Sequence, residues 1–248
     1  MPAERKPLAP KDAPRARGRQ PSVQDRITDL IVELDLDPGD ALPPEPELMR
    51  ALGVSRNSVR EALKGLQALG IVDVRHGYGT YVGTAQLLSM APGLLFHARL
   101  AVRREHPGAL RDIVEVRALL ESGLIRRSAV ELSGADLDRL QAELDALAAD
   151  GAAARADHDR RFHELLYEPL GNALALQLIA LFWGVYRQLE GEVGKARTDH
   201  EQVVRQHRTV LAALRSRDAD AAAAAIAEHF ADVIARTEQW AVDRARPA

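Results

Sequence analysis

The sequence predicts a mainly α protein in two parts: an N-terminal winged helix-turn-helix (three helices plus a β-hairpin wing), then an all-α antiparallel helical bundle. Three observations carry this. The chain has 248 residues, more than the ~150 residues typical of one domain. Nine of its 13 prolines lie at or before position 46, which leaves the remainder free to form long helices. One pair of alternating apolar runs brackets a glycine-rich turn near residue 77. From about 108 onward, apolar residues instead recur at helical spacing, as in Leu110, Ile113, Val114, Leu120 and Leu124.

The elements follow in order. Residues 1–20 carry six Lys/Arg, two Asp/Glu and four Pro, a composition expected of a disordered basic tail. Residues 21–84 form the winged unit. Ser22 caps a helix from Val23 to Leu34, with Ile27, Leu30 and Ile31 on its apolar face. Asp37-Pro38-Gly39-Asp40 makes a turn. A short helix runs from Glu45 to Leu52 and stops at Gly53. Ser55 then caps a third helix over 56–69, with Val59, Leu63, Leu66 and Leu69 facing inward. Residues 71–75 and 80–82 alternate as two strands about His76-Gly77-Tyr78-Gly79. Residues 85–107 are a linker or one extra helix. The helical domain spans 108–242, and 243–248 form a tail.

Composition excludes several functions. With no cysteine, the chain has no disulfide scaffold, thiolate-bound metal or thiol nucleophile. Aromatics at 4% argue against a base-stacking platform for single strands. No apolar run approaches the ~20 residues of a membrane span, and the N-terminus lacks a signal peptide's apolar segment, as expected of a cytoplasmic protein. The net charge of −3 argues weakly against nucleic acid, but it is uneven: residues 50–75 hold five basic side chains against Glu61 and Asp73.

Three of those basic residues, Arg56, Arg60 and Lys64, sit on the second helix of a helix–turn–helix pair, the one that enters the major groove and presents its N-terminal residues to base edges. Ser55, Arg56, Asn57, Ser58 and Arg60 supply hydroxyls, an amide and guanidinium forks there. Arg reads guanine, Asn reads adenine, and Ser serves phosphates or bases. For Lys64 and Arg75, a solvated charge explains the residue as well as a phosphate contact does. LPPEPELMRALGVSRNSVREALKGLQALGIVDVRHGYGTYV resembles the winged helix-turn-helix of GntR-family transcription regulators over residues 22–83. The resemblance implies that Arg56, Asn57, Ser58 and Arg60 contact operator DNA. It also implies that His76 and Gly77 reach the minor groove from the wing tip. One position departs from the pattern: relatives usually carry an operator-contacting Arg where this chain has Pro46.

In the C-terminal part, Asp159 and His163 stand at i and i+4, one helical face with Cβ atoms ~5–6 Å apart. His207 and His229 flank a turn at Arg215-Ser216-Arg217-Asp218, so they can meet at one height between antiparallel helices, the arrangement bundles use for metal sites. Spacing alone leaves open that each is an ordinary surface or core histidine. The segment 108–240 resembles the FCD ligand-binding domain of the FadR subfamily, through Glu115–Glu121, Asp159…Phe162-His163, Gly171-Asn172 and Gln206-His207…Glu228-His229. The resemblance implies a divalent metal held by Asp159, His163, His207 and His229, and it argues against an acyl-CoA ligand. An N/O donor set suits Zn, Ni, Mn or Fe better than Ca. Affinity should fall once the imidazoles protonate, below about pH 6.

A small carboxylate effector would complete such a site. Arg117 is the natural anchor for it, although Arg117 and Glu121 at i, i+4 can also simply pair. Asn172 is a second pocket candidate, or else a turn residue after Gly171. His158 and His200 read as outer-face residues, although His200 shares a face with His207.

The reading that emerges is a homodimeric regulator, acting as a repressor, that binds double-stranded operator DNA under the control of an organic acid. Lactate, sugar acids and dicarboxylates all remain open as that acid. Two alternatives stand beside it: a sensor of the metal itself, and a metal-dependent hydrolase tethered to DNA. No general base adjoins the ligands, since Glu164 points about 100° away from His163, so the enzyme reading is the weaker. Proline at a helix start is comfortable but donates no hydrogen bond. Replacing Pro46 by Arg is therefore expected to raise operator affinity or shift base preference, read by fluorescence anisotropy on DNA from the chain's own promoter; unchanged affinity and preference would contradict this.

Overall fold

The computed structural model describes residues 21–84, 87–103, 108–193 and 199–245. The basic segment 1–20 and residues 246–248 of the expected tail lie outside the described residues. The chain divides into two compact units, Met1–Ser89 and Met90–Ala248.

In the first unit, α1 (Val23–Glu33) starts at Ser22, whose hydroxyl accepts from the Asp25 amide while the Asp25 carboxylate accepts from the Ser22 amide. This reciprocal pair satisfies two otherwise orphaned donors. Helix α2 (Glu45–Leu52) ends at Gly53 in the left-handed region, φ 63°, where glycine carries no Cβ penalty. Helix α3 (Arg56–Ala68) begins at Ser55, which accepts from the Ser58 amide. Arg26 donates to the terminal carbonyl of Leu52 (2.5 Å), tying α1 to the end of α2.

Strands β1 (Val72–Arg75) and β2 (Gly79–Val82) pair antiparallel, with Val72 opposite Val82 and Arg75 opposite Gly79. Residues 39–42 add a partial third strand: Leu42 N–H donates to Thr80 and Val82 N–H to Asp40. Ile27, Leu48, Val59, Leu66 and Val72 close the core of this unit.

The second unit is wholly helical among the described residues. Residues 85–107 were expected as a linker or extra helix; the structure gives a short 3₁₀ turn at Leu87–Met90 and then α4 (Ala91–Arg103). Helix α4 packs against α5 (Ala109–Glu131) and α8 (Ala173–Val193).

Two hairpins follow the periodicity closely. Helices α6 (Gly134–Ala149) and α7 (Ala152–Tyr167) form one; α9 (His200–Arg215) and α10 (Ala219–Ala245) form the other. Helix α10 runs past the expected domain end at 242, since no proline interrupts it before Pro247. At the predicted 215–218 turn, Arg217 adopts φ 59° and its guanidinium donates to the Ala129 and Leu132 carbonyls at the end of α5. Helix α5 packs against α7, α8 and α10, so residues pointing inward from α5, α7, α9 and α10 converge.

Two glycines of the winged unit make opposite demands. A Cβ on Gly83 would lie 2.2 Å from the Gly70 carbonyl oxygen, a backbone atom with nowhere to go. A Cβ on Gly65 would meet only the flexible amide end of Gln24, at 1.9 Å. Gly83→Ala should lower stability by about 1–3 kcal/mol. Gly65→Ala, inside α3, should be neutral or stabilising by up to about 1 kcal/mol. Denaturant unfolding of the two variants checks this, and the reverse order would contradict it.

Candidate functional site

Two surfaces carry the chemistry, one in each unit. In the first, Arg56, Asn57 and Arg60 project into solvent from the first turn of α3. The hydroxyls of Ser55 and Ser58 lie 2.9 Å apart and are engaged at the helix cap. Glu45, at the start of α2, faces both arginines, 3.9 Å from Arg56 Nε and 3.6 Å from Arg60 Nε. Sequence reasoning did not single out this carboxylate. Pro46 occupies the second position of α2, and its carbonyl accepts from Arg50 Nε.

The wing tip exposes His76 and Gly77, with Gly77 at φ 80°. Tyr78 beside them is 82% exposed. Lys64 pairs with Glu61 (2.8 Å) and Arg75 with Asp73 (2.9 Å), while Arg75 also stacks over Tyr81 at 4.1 Å.

In the helical unit, α7 presents Arg155, Asp159 and His163 at four-residue steps, α9 contributes His200 and His207, and α10 contributes His229. The imidazoles of His163, His207 and His229 are buried, and one nitrogen of each lies within 4.8 Å of the others. All three rings are oriented through Nδ1. His163 Nδ1 lies 2.5 Å from Glu121 Oε2, His207 Nδ1 lies 2.8 Å from the Val203 carbonyl, and His229 Nδ1 lies 3.3 Å from Gln206 Oε1. Each Nδ1 therefore carries the proton toward an oxygen, which leaves Nε2 as a lone pair.

Asp159 Oδ1 approaches these lone pairs, 2.8 Å from His207 Nε2 and 3.7 Å from His163 Nε2. Asp159 Oδ1, His163 Nε2 and His207 Nε2 are all buried without a hydrogen-bond partner. Lone pairs so aimed at one another are unfavourable unless a cation lies among them, and this donor set fits a divalent metal.

The electrostatics agree with that donor role. Burial lowers the pKa of His163, despite the opposing pull of Glu121, and takes His229 well below its ordinary value. Both imidazoles are thereby biased to the neutral form a metal requires. Burial acts to raise the Asp159 carboxyl, and an N–H and positive charge at His207, with charge at His163 and His229, would hold it well below the usual carboxylate range; with those rings neutral, a bound cation would have to supply that charge. Burial likewise opposes ionisation of Glu121, and Arg117 and His163 overcome it.

A cavity of about 300 Å³ opens beside the cluster, at the small end of ligand pockets. Asp159, His229, Arg117 and Trp183 line it. Arg117 is buried, with Nε 2.5 Å from Glu121 Oε1 and its guanidinium carbon 4.5 Å from the Trp183 ring centroid and 5.2 Å from that of Phe230. Its Nη2 has no partner. Arg117 thus both pairs with Glu121 and keeps a donor free at the cavity.

Two sequence expectations are corrected here. Asn172 is exposed and does not line this cavity; its side chain accepts from the Ala175 amide at the start of α8, a local cap that uses its acceptor. His200 does not sit on an outer face but lines the cavity, as does Arg155. The signal was available in the spacings: His200 lies two turns before His207, and Arg155 one turn before Asp159. His158 lies outside the cavity lining, clamped between Glu143 (2.7 Å) and Asp150 (2.9 Å).

Comparison with known proteins gives consistent similarities. Residues 20–82 match the family described as bacterial regulatory proteins, gntR family, and residues 112–232 match the FCD domain. The Uxu operon transcriptional regulator of Escherichia coli is 30% identical, the match covering 90% of this chain and 88% of that protein. The HTH-type transcriptional regulator LutR of Bacillus subtilis is also 30% identical, over 82% and 94%. The HTH-type transcriptional repressor NanR of Cronobacter sakazakii is 28% identical, over 89% of each. Among solved structures, Streptococcus agalactiae GntR superposes with TM-score 0.67 at 27% identity, over 86% of this chain and 97% of that one.

The Arg117–Glu121 pair yields a stability test. Arg117→Ala would strand a fully buried carboxylate beside a single imidazole, a loss of about 3–5 kcal/mol. Adding Glu121→Gln should recover part of it. Urea unfolding followed by circular dichroism reads both, and a loss below about 1 kcal/mol for the single variant would contradict a desolvated pair.

Proposed function

Because the chain belongs to the GntR family of bacterial transcription regulators and carries an FCD domain, we propose that it is a homodimeric repressor released from operator DNA by a small organic acid bound at a divalent metal. The family is one of regulators, not enzymes. The carrying observation is the set of buried, unpartnered atoms His163 Nε2, His207 Nε2 and Asp159 Oδ1, beside a cavity that Asp159, His229 and Arg117 line.

Asp159, His163, His207 and His229 would hold the metal; Zn, Ni, Mn and Fe all suit their donors. When bound, it supplies a Lewis-acidic anchor for a carboxylate. The protein residues do the remainder. Glu121 fixes the His163 ring, Arg117 offers a guanidinium N–H to the acid's carboxylate, and Trp183 and Phe230 hold that guanidinium in place.

On DNA, Arg56, Asn57 and Arg60 read base edges while Ser55 and Ser58 sit at the backbone. His76 and Gly77 approach the minor groove from the wing. Two half-sites read by two copies of α3 call for a symmetric dimer. Helix α5 leaves Val116, Leu119 and Val130 exposed for such a contact. The acid acts by binding the low-affinity state better than the high-affinity one. A relative bearing the name repressor supports the polarity. The working compartment is the cytoplasm, where operator DNA lies; no helix among the described residues is long and apolar enough to cross a membrane.

The test combines metal analysis with operator binding on DNA from the chain's own promoter. Arg56→Ala should weaken binding by about 1–3 kcal/mol, roughly 5- to 150-fold. His163→Ala should lose the metal and the response to acids while still binding operator. If removing the metal alone controls DNA affinity and no acid does, the metal is the signal and this reading fails.

A further inference from the structure

The cavity has a second end that the proposed metal site does not use. Arg155 and His200 line it. Arg155 stands four residues before Asp159 on α7, about 6 Å along the helix axis. His200 stands seven residues before His207 on α9, about 10 Å along that axis. Arg215 at the end of α9 reaches Leu137 and Asp138 at the start of α6, so α9 runs antiparallel to α6 and parallel to α7, and both residues are displaced to the same side of the metal ligands.

The Arg155 charge is not answered among the described residues. Every other arginine lining the cavity has a carboxylate: Arg117 has Glu121, Arg187 has Glu190 (2.6 Å) and Arg236 has Asp232 (2.5 Å). Arg155 has no ion pair among the described residues, and its Nε is buried without an acceptor. His200 Nε2 is buried and unpartnered in the same way. A buried guanidinium N–H without an acceptor is costly, and so is a buried imidazole nitrogen without a partner. A guanidinium and an imidazole so placed form an anion-binding pole.

We propose that the effector is a dicarboxylate: one carboxylate at the Arg117 and metal end, the second received by Arg155 with His200. This rests on the organic-acid reading above and narrows it. A hydroxyl of a sugar acid would satisfy His200 but leave the Arg155 charge uncompensated in a confined cavity, whereas a second carboxylate matches it in both charge and shape.

Calorimetric titration of metal-loaded, full-length protein tests this with matched pairs differing by one carboxylate: malate against 2-hydroxybutyrate, 2-oxoglutarate against 2-oxovalerate, glucarate against gluconate. At least one diacid should bind about tenfold or more tightly than its monoacid partner. Arg155→Gln should erase that preference by weakening the diacid alone, with metal content and melting temperature retained. Arg155→Lys should keep part of it.

Monoacids binding as tightly as diacids would overturn the proposal. So would equal weakening of both by Arg155→Gln, or no binding of any acid. Metal content measured on the same samples separates the two readings. Metal-free protein that still prefers diacids through Arg155 overturns the metal site alone, whereas metal-loaded protein without that preference overturns the dicarboxylate alone.

Discussion

A single fully buried carboxylate, Glu121 on α5, sets the geometry of the helical domain's interior. Removing a carboxylate from water costs several kcal/mol unless it is neutralised and hydrogen-bonded. Two partners answer it: Arg117 one turn earlier on α5, and the His163 Nδ1 on α7, each 2.5 Å away. Neither contact is free to relax, and both have consequences at a distance. Holding the Nδ1 proton of His163 turns its Nε2 toward His207, His229 and Asp159. Anchoring one edge of the Arg117 guanidinium leaves another edge, Nη2, at the cavity. One buried charge therefore orients a ligand of the proposed metal site and the proposed anchor for an acid.

Charge is segregated along the chain in a way that its total conceals. A net charge of −3 is unpromising for a DNA-binding protein. Yet the recognition helix concentrates guanidinium groups, and Glu45 faces both Arg56 and Arg60 while Glu61 pairs with Lys64. Ion pairs this exposed are worth little in water, so phosphates or bases can replace the carboxylate at small cost. The helical domain treats charge differently: its cavity arginines are paired one by one, apart from Arg155.

Much of the winged unit was legible because its determinants are local. Ser22 and Ser55 cap their helices, Gly53 ends α2, and the alternation through Val72 and Val82 makes the wing, all within a few residues of one another. In the helical domain, periodicity placed Asp159 and His163 on one face and the short 215–218 turn let His207 and His229 meet. What sequence spacing could not show was tertiary. Glu121 reaches His163 across 42 residues, and no local pattern announces that contact. Asn172 was misread because a turn asparagine satisfies its own backbone before it serves a ligand. His200 was misread although its spacing placed it on the same face of α9 as His207, the helix that packs against α6 and α10.

Three imidazoles, one of them oriented through Glu121, and one carboxylate are proposed to hold a metal to which an acid binds. X-ray absorption spectroscopy at the metal edge of the purified, loaded chain tests it most directly. Imidazole scattering from three histidines is expected, with nitrogen at about 2.0–2.1 Å if the metal is zinc, together with an oxygen shell that changes when a bound acid is added. A spectrum of oxygen and water ligands without imidazole, or one indifferent to every acid that alters operator binding, would contradict it.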